Sequence, residues 1–150
     1  MTRPPWSRCG RGDRGMSISV ELALLLPALV VIIALFIGAG RLALARISVQ
    51  QWADSAARTA TLARDASSAQ SRAHAVVTSD AAGSGLRCAG GWGLTVDTAA
   101  FTLPPGREGS VHVTVRCPVT LGDLLLPGVP GTVLVEGSAA STLDRYRGRG

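Results

Sequence analysis

Two cysteines in the C-terminal half of the chain, Cys88 and Cys117, have the clearest chemistry, because together they could form a disulfide bond. Both follow a long apolar segment, and a cysteine pair in an exported segment is usually oxidised. The bridge would close a loop of about 30 residues, which stabilises a fold by roughly 3 kcal/mol in the chain-entropy model. Cys9 precedes the apolar segment, and we expect it to remain a reduced thiol in the cytoplasm.

The two histidines, His74 and His112, form no metal-ligand pattern with cysteines or carboxylates, so we interpret both as solvent-facing. The glycines at 83–93 do not fit a dinucleotide-binding fingerprint, and the sequence has no Walker loop, HExxH or GxSxG motif. We therefore predict a protein that is not an enzyme and that binds no metal, cofactor or small-molecule substrate.

The formal net charge is +5, and every basic residue is an arginine. Arginine without lysine is typical of a GC-rich genome such as that of an actinobacterium. The net positive charge therefore does not indicate what the protein binds. The arginines are spread along the chain, and aromatic residues make up only 4 % of it. Both features argue against nucleic-acid binding, which favours a basic stripe and aromatic stacking platforms.

The element that positions all of these residues is an uncharged apolar run at 22–40. With Ile18 and Val20 it reaches the roughly 20 residues that cross a bilayer core of about 30 Å. We therefore predict a transmembrane helix at 18–40. The alternative is a buried core helix, but the rest of the chain is too short and too rich in glycine and serine to cover one.

A cleaved signal peptide is a second alternative, because Ala43-Leu44-Ala45 fits a cleavage site and would release a protein secreted after cutting behind Ala45. The apolar run is longer than the usual core of a signal peptide, and Arg41 separates it from that site. Retention as a single-pass membrane anchor is favoured.

Positive charge near the span predicts its orientation, because flanking arginines are retained on the cytoplasmic side of a membrane. Residues 1–17 form a basic leader, whereas Arg41 and Arg46 follow the span. We expect the N-terminus in the cytoplasm and the C-terminal part outside the cell, with the lipid bilayer as a partner. The leader arginines are Arg3, Arg8, Arg11 and Arg14.

Helical character continues beyond the span, since no glycine or proline interrupts residues 41–82. We predict one extended extracytoplasmic helix there, which with the span gives a rod of roughly 90 Å. Pro27 is expected to kink the span, because it cannot donate to the carbonyl of Ala23. An alanine-rich stripe on this helix could pack against another subunit or against the chain's own C-terminal module. The stripe consists of Leu42, Ala45, Val49, Trp52, Ala56 and Ala63.

The C-terminal half reads as a small β domain at 94–143, after a glycine-rich linker at 83–93 and before a solvated tail at 144–150. Its clearest strand alternates valines with polar residues, which is typical of a strand with one buried face. The predicted fold class is α+β, with a long N-terminal helix packed on a three-stranded antiparallel sheet. The predicted strands are 94–98, 110–117 and 132–141.

The string GMSISVELALLLP, from Gly15 to Pro27, resembles the opening of TadE-like proteins of the tight-adherence pilus systems. In that family a basic leader ends near a glycine, a glutamate comes just before the apolar run, and a proline follows within it. The resemblance continues more loosely to Arg64. It implies a pilin-like fold and a minor pilin or pseudopilin that works with other pilin-like subunits and with pilus or secretion machinery.

The resemblance also assigns roles to residues near the start of the span. Glu21 corresponds to the pilin glutamate, assigned to neutralise the N-terminal amine of a neighbouring subunit, and a carboxylate at a membrane boundary favours such a partner. A local alternative is that Glu21 only stabilises the start of the helix. Gly15 corresponds to the residue before prepilin-peptidase cleavage. Glu21 is the sixth residue after Gly15 rather than the fifth, and cleavage after Met16 would restore the family's spacing.

Three functions therefore stand at this point. The first is a TadE-like subunit of a pilus or related secretion apparatus. The others are a freestanding membrane-anchored binding module and a secreted protein cleaved after Ala45.

Overall fold

The computed structural model describes residues 13–104, 106–124 and 130–144, with side chains from residue 22 onward except at 123 and 124. The chain divides into two compact units, Met1–Phe36 and Ile37–Gly150. A short 3-10 helix at Ala99–Thr102 and a one-turn helix at Leu121–Leu124 were not predicted. The elements are α1 (Asp13–Thr61), α2 (Ala66–Ser84), β1 (Gly93–Asp97), the 3-10 helix (Ala99–Thr102), β2 (Ser110–Thr120), α3 (Leu121–Leu124) and β3 (Thr132–Thr142).

The described part of the N-terminal unit is helical and exposes its side chains. The large apolar side chains from Leu22 to Phe36 are between 49 and 75 % exposed. α1 is long and apolar enough to cross a membrane, and only 6 % of its most apolar stretch is buried. The core helix of a soluble protein would be mostly buried, so α1 is a candidate membrane anchor. Its helical structure runs through Pro27 without a break, and the kink there stays a prediction.

The predicted uninterrupted helix over 41–82 is wrong, because α1 ends at Thr61 and α2 begins at Ala66. At the end of α1 the N–H groups of Leu62 and Ala63 donate to carbonyls three residues back, at 3.3 and 3.1 Å. Such 3-10 bonds commonly close the last turn of a helix. The predicted single rod is therefore two helices.

Asp65 caps the start of the second helix and explains why the helical structure is interrupted there. Its carboxylate accepts the backbone N–H of Ser68 at 2.8 Å and the hydroxyls of Ser67 and Ser68 at 2.6 and 2.8 Å. These hydrogen bonds, led by that of the Ser67 hydroxyl, lower the pKa of Asp65 from 3.8 to about 2. An aspartate N-cap satisfies the first amides of a new helix, so no glycine or proline is needed for the break.

The three strands form one antiparallel sheet in the order β1-β2-β3, which confirms the predicted sheet and the α+β class. In the register Val113 lies opposite Val96 on β1 and Ala139 on β3. The predicted alternation along β2 is also confirmed, because every second side chain is fully buried while His112 and Arg116 are exposed. The buried side chains of β2 are Val111, Val113, Val115, Cys117 and Val119.

The second half of α1 packs directly on the buried face of the sheet. Gly137 of β3 is the point of closest approach, because a Cβ atom added there would lie 2.7 Å from the carbonyl oxygen of Val49. Such a contact requires a residue without a side chain. Small residues of α2, among them Ala69 and Ala73, and Phe101 of the 3-10 helix complete the same core.

Candidate membrane and assembly surfaces

The predicted alanine-rich stripe lies inside the chain's own core. Five of its six members are at most 3 % exposed, and Leu42 is partly buried against the same core. The stripe therefore packs on the C-terminal module, which is one of the two interpretations left open by its periodicity. Contact between this part of α1 and another subunit has to use the exposed side of the helix. The buried members are Ala45, Val49, Trp52, Ala56 and Ala63.

Gln50, on the same helix, is a structural residue that the sequence did not reveal. Its amide nitrogen donates to the carbonyl of Ser138 at 2.8 Å, and its amide oxygen accepts the N–H of Ser138 at 3.3 Å. The side chain thus pairs with the edge strand β3 as a neighbouring strand would. It satisfies two edge groups and fixes α1 beside Gly137. Its partner is 88 residues away, so no local pattern could have indicated it.

The predicted disulfide between Cys88 and Cys117 is present, with a Cα–Cα distance of 5.1 Å. It joins the loop after α2 to the buried face of β2. Next to it, the backbone N–H of Ala89 donates to the carbonyl of Pro118 at 2.6 Å. A three-stranded sheet is marginal by itself, and the bridge holds the end of the second helix against it.

The processing candidates, Gly15 and Met16, lie within α1, which begins at Asp13. The predicted boundary between leader and span, at residues 17 and 18, is therefore not a helix end. Glu21 is also in α1, but its side chain lies outside the described part, so its pairing role stays a prediction. The predictions for further positions fall outside the described residues altogether: Arg3, Arg8, Cys9, Arg11 and residues 145–150.

Both histidines are exposed, as predicted. The ring of His74 lies 4.9 Å from that of Trp92. Within the described ranges, no cluster of three or more histidine, cysteine or acidic side chains is arranged to hold a metal ion.

On the outer face of the sheet, Ser110 Oγ and His112 Nε2 are 3.0 Å apart, and Asp97 lies opposite His112 in the strand register. Nucleophilic catalysis by such a set requires the carboxylate to orient the histidine. Asp97 Oδ1 instead accepts the backbone N–H of Ala99 at 2.9 Å, where it caps the turn into the 3-10 helix. We interpret these residues as part of a solvated sheet surface.

Together these features define a class of protein: a small α+β module, closed by a disulfide, whose first helix is a candidate membrane anchor. The sequence profile of the TadE-like protein family matches residues 16–58, which confirms the resemblance over that part of the chain. The match covers Glu21, Pro27 and most of the stripe, and it ends before α1 does. No curated protein and no solved structure matches the chain. The family and the candidate anchor fit a protein associated with a tight-adherence pilus.

Proposed function

We propose that this protein is a minor pilin or pseudopilin that contributes to the assembly of a tight-adherence-type pilus or a related secretion apparatus. The observation that carries the proposal is that the TadE-like match, residues 16–58, falls on the helix with the exposed apolar surface. Its partners are the lipid bilayer, other pilin-like subunits and the pilus machinery. It acts by assembly and not as an enzyme, and it binds neither nucleic acid nor a small-molecule substrate.

The proposed topology places the leader in the cytoplasm and the disulfide-closed module outside the cell. Two independent features support this direction. Arginines of the leader favour the cytoplasmic side. The bridge between Cys88 and Cys117 is of the kind that forms and persists in an oxidising compartment.

Within the assembly, we assign Glu21 the role of pairing laterally with another subunit. A carboxylate at the membrane boundary is costly unless a partner neutralises it. The alanine-rich stripe cannot provide the lateral contact, because it is buried in the chain's own core. Contacts between subunits are therefore left to the span and to the exposed side of α1.

The deciding experiment replaces Glu21 with alanine and measures co-isolation with the other pilins from membranes and from sheared filaments. The variant should still insert in the membrane but should lose co-isolation. Glu136→Ala is the matched control, because Glu136 is an exposed carboxylate paired with Arg116 at 2.9 Å on the sheet surface. Such surface ion pairs contribute little to the stability of the fold. Wild-type co-isolation of Glu21→Ala would contradict the pairing role.

The same preparation tests processing by mass spectrometry of the mature N-terminus. Cleavage after Gly15 gives a chain that starts at Met16, and cleavage after Met16 gives one that starts at Ser17. A start at Arg46 would instead establish the secreted alternative. That cut would remove Ala45, which is buried in the core of the C-terminal unit, so the released module would lose part of its packing.

The alternative function, a freestanding binding module, is distinguished by the neighbouring genes and by the proteins that co-isolate with the chain. Genes for a secretion ATPase and polytopic platform proteins beside this one, together with co-isolation of their products, would support the pilus role. A chain that inserts in the membrane and isolates alone, from a locus without those genes, would establish the freestanding module.

A further inference from the structure

Three exposed apolar side chains lie on the C-terminal unit just beyond the predicted end of the span. Leu44 is 65 % exposed, Ile47 is 53 % exposed and Leu134 is 59 % exposed. Leu44 and Ile47 are three residues apart and so share one face of α1. Ile47 and Leu134 line the same cavity between α1 and β3, of about 430 Å³. We call these three residues the apolar patch.

Arginines flank the apolar patch on both sides. Arg41 and Arg87 line a cavity of about 390 Å³, together with Leu44, Ser48 and Ser84. This cavity lies between the start of the unit's part of α1 and the loop that follows α2.

Arg46 lines the other cavity, beside Ile47 and Leu134. The acidic residue there, Glu136, already forms an ion pair with Arg116 at 2.9 Å. Cations therefore dominate the charge around the apolar patch.

Apolar side chains ringed by arginines match the chemistry of the bilayer interface. Aliphatic groups enter the boundary between headgroups and acyl chains, while guanidinium groups remain at the level of the phosphates. Guanidinium also binds phosphate oxygens in bidentate fashion. Leu44 lies only about one helical turn, roughly 6 Å, beyond Gly40, so the apolar patch is within reach of the headgroup layer if residues 18–40 span the bilayer.

We propose that the apolar patch rests in the outer leaflet and that the cavity between Arg41 and Arg87 binds the phosphate of an anionic phospholipid. The occupant is a membrane lipid and not a free anion, because the cavity is lined by the exposed Leu44 of the apolar patch as well as by the two arginines, and a lipid offers both acyl chains and a phosphate. This inference depends on the membrane anchoring and the orientation given in the proposed function but not on pilus assembly.

The first test reconstitutes the full chain in vesicles of phosphatidylcholine with one fifth phosphatidylglycerol and measures which lipid stays bound after mild detergent extraction. The wild type should enrich phosphatidylglycerol. Each arginine removed, in Arg41→Gln or Arg87→Gln, should reduce the enrichment about fivefold, as expected for one cation at a lipid surface. No enrichment in the wild type, or full enrichment in both variants, would overturn the lipid site.

Arg107→Gln is the matched control, because Arg107 lies near the opposite end of β2 from Val119, which lines the cavity. That distance is about 30 Å along the strand. The control should enrich phosphatidylglycerol as the wild type does. An equal loss in Arg107→Gln would show that total charge and not the cavity selects the lipid, which would overturn the site. Displacement of the lipid by millimolar inorganic phosphate would reassign the cavity to a free anion.

The second test measures the depth of the apolar patch by quenching with brominated phosphatidylcholine. The wild type, with its three native tryptophans, gives the background, and Ile47→Trp should add fluorescence that is quenched in vesicles. Leu62→Trp, at another exposed apolar position roughly 22 Å farther along the chain, should add no quenched fluorescence. Equal quenching at the two positions would show that the apolar patch does not lie in the bilayer interface. Failure of the wild type to insert at all would instead contradict the proposed function, so the two failures are distinguishable.

Discussion

The two halves of α1 belong to the same helix but differ in the size and exposure of their apolar side chains. From Leu22 to Phe36 the helix carries large aliphatic side chains that are exposed. From Ala45 to Ala60 its inward face is mostly alanine and is fully buried under the sheet. The difference shows that apolar content alone does not define a core. Lipid accommodates large side chains of any shape, whereas a helix that lies against Gly137 must present small ones.

The largest effect is expected when a charge is placed in the first half of α1. Val31→Arg should reduce membrane insertion by about 2.5 to 3.5 kcal/mol, the cost of arginine at the centre of a spanning helix. Leu62→Arg is the control, because Leu62 is also an exposed apolar residue but lies outside the predicted span. Carbonate extraction of membranes measures both. Equal release of the two variants would mean that the first half is not in lipid.

Removing the disulfide weakens only the second half. Cys88→Ser combined with Cys117→Ala should destabilise the C-terminal unit by roughly 3 kcal/mol, since the bridge closes a loop of about 30 residues. Urea unfolding followed by tryptophan fluorescence, to which the buried Trp52 contributes, measures this change. Cys9→Ser should unfold like the wild type. Labelling of Cys88 and Cys117 by a thiol reagent in the unreduced native protein would contradict the bridge.

The same substitution, alanine to leucine, can be made in each half of α1 and its effects on stability compared. Ala56→Leu should destabilise the C-terminal unit by about 1 to 3 kcal/mol, because Ala56 is fully buried and the core has to expand. Ala39→Leu should have no such effect, because Ala39 is exposed within the predicted span. The same urea experiment measures both variants. A neutral Ala56→Leu would show that the helix does not need small residues there.

Removing the contact of Gln50 with the sheet edge should have a smaller effect on the free energy of unfolding. Gln50→Ala removes two hydrogen bonds to Ser138 and should cost about 1 to 2 kcal/mol of unfolding free energy. Gln51→Ala, at the exposed neighbouring position, should change stability by less than about 0.5 kcal/mol. Equal effects of the two substitutions on the urea midpoint would argue against the contact.

The smallest expected effect concerns the boundary where α1 ends. Asp65 has a pKa lowered to about 2 in the folded chain, so its cap stabilises the fold above its ordinary pKa of 3.8. That stabilisation should be lost as the pH falls from about 4 to about 2. Asp65→Asn removes this titration, so the melting temperatures of wild type and variant should converge on acidification. A difference that is constant between pH 5 and pH 2 would contradict the assignment.

Features encoded by local patterns were predictable from the sequence. The period of two in β2 placed Val111, Val113 and Val115 on the buried face, and the export argument paired Cys88 with Cys117. The string around Glu21 indicated the family that the profile matches. Each of these rests on neighbouring residues or on a count of cysteines, so no tertiary information was required.

Two kinds of feature were not predicted: a local helix cap and the contacts that form only in the folded chain. The helix break at 62–65 contains neither glycine nor proline, although Asp65 followed by Ser67 and Ser68 is an N-cap pattern that could have indicated it. The stripe remained ambiguous, since periodicity reports a buried face but not what buries it. Gln50 and Gly137 could not be found, because their roles exist only where α1 meets β3.

The bonds between Gln50 and Ser138 also set the order of events during biogenesis. These residues are 88 positions apart, so the pairing waits for almost the whole chain to be made. At typical synthesis rates the interval is roughly 5 to 20 seconds. For that time the alanine face of α1 has been synthesised without the sheet that buries it, so it is open to other apolar surfaces before its native partner exists.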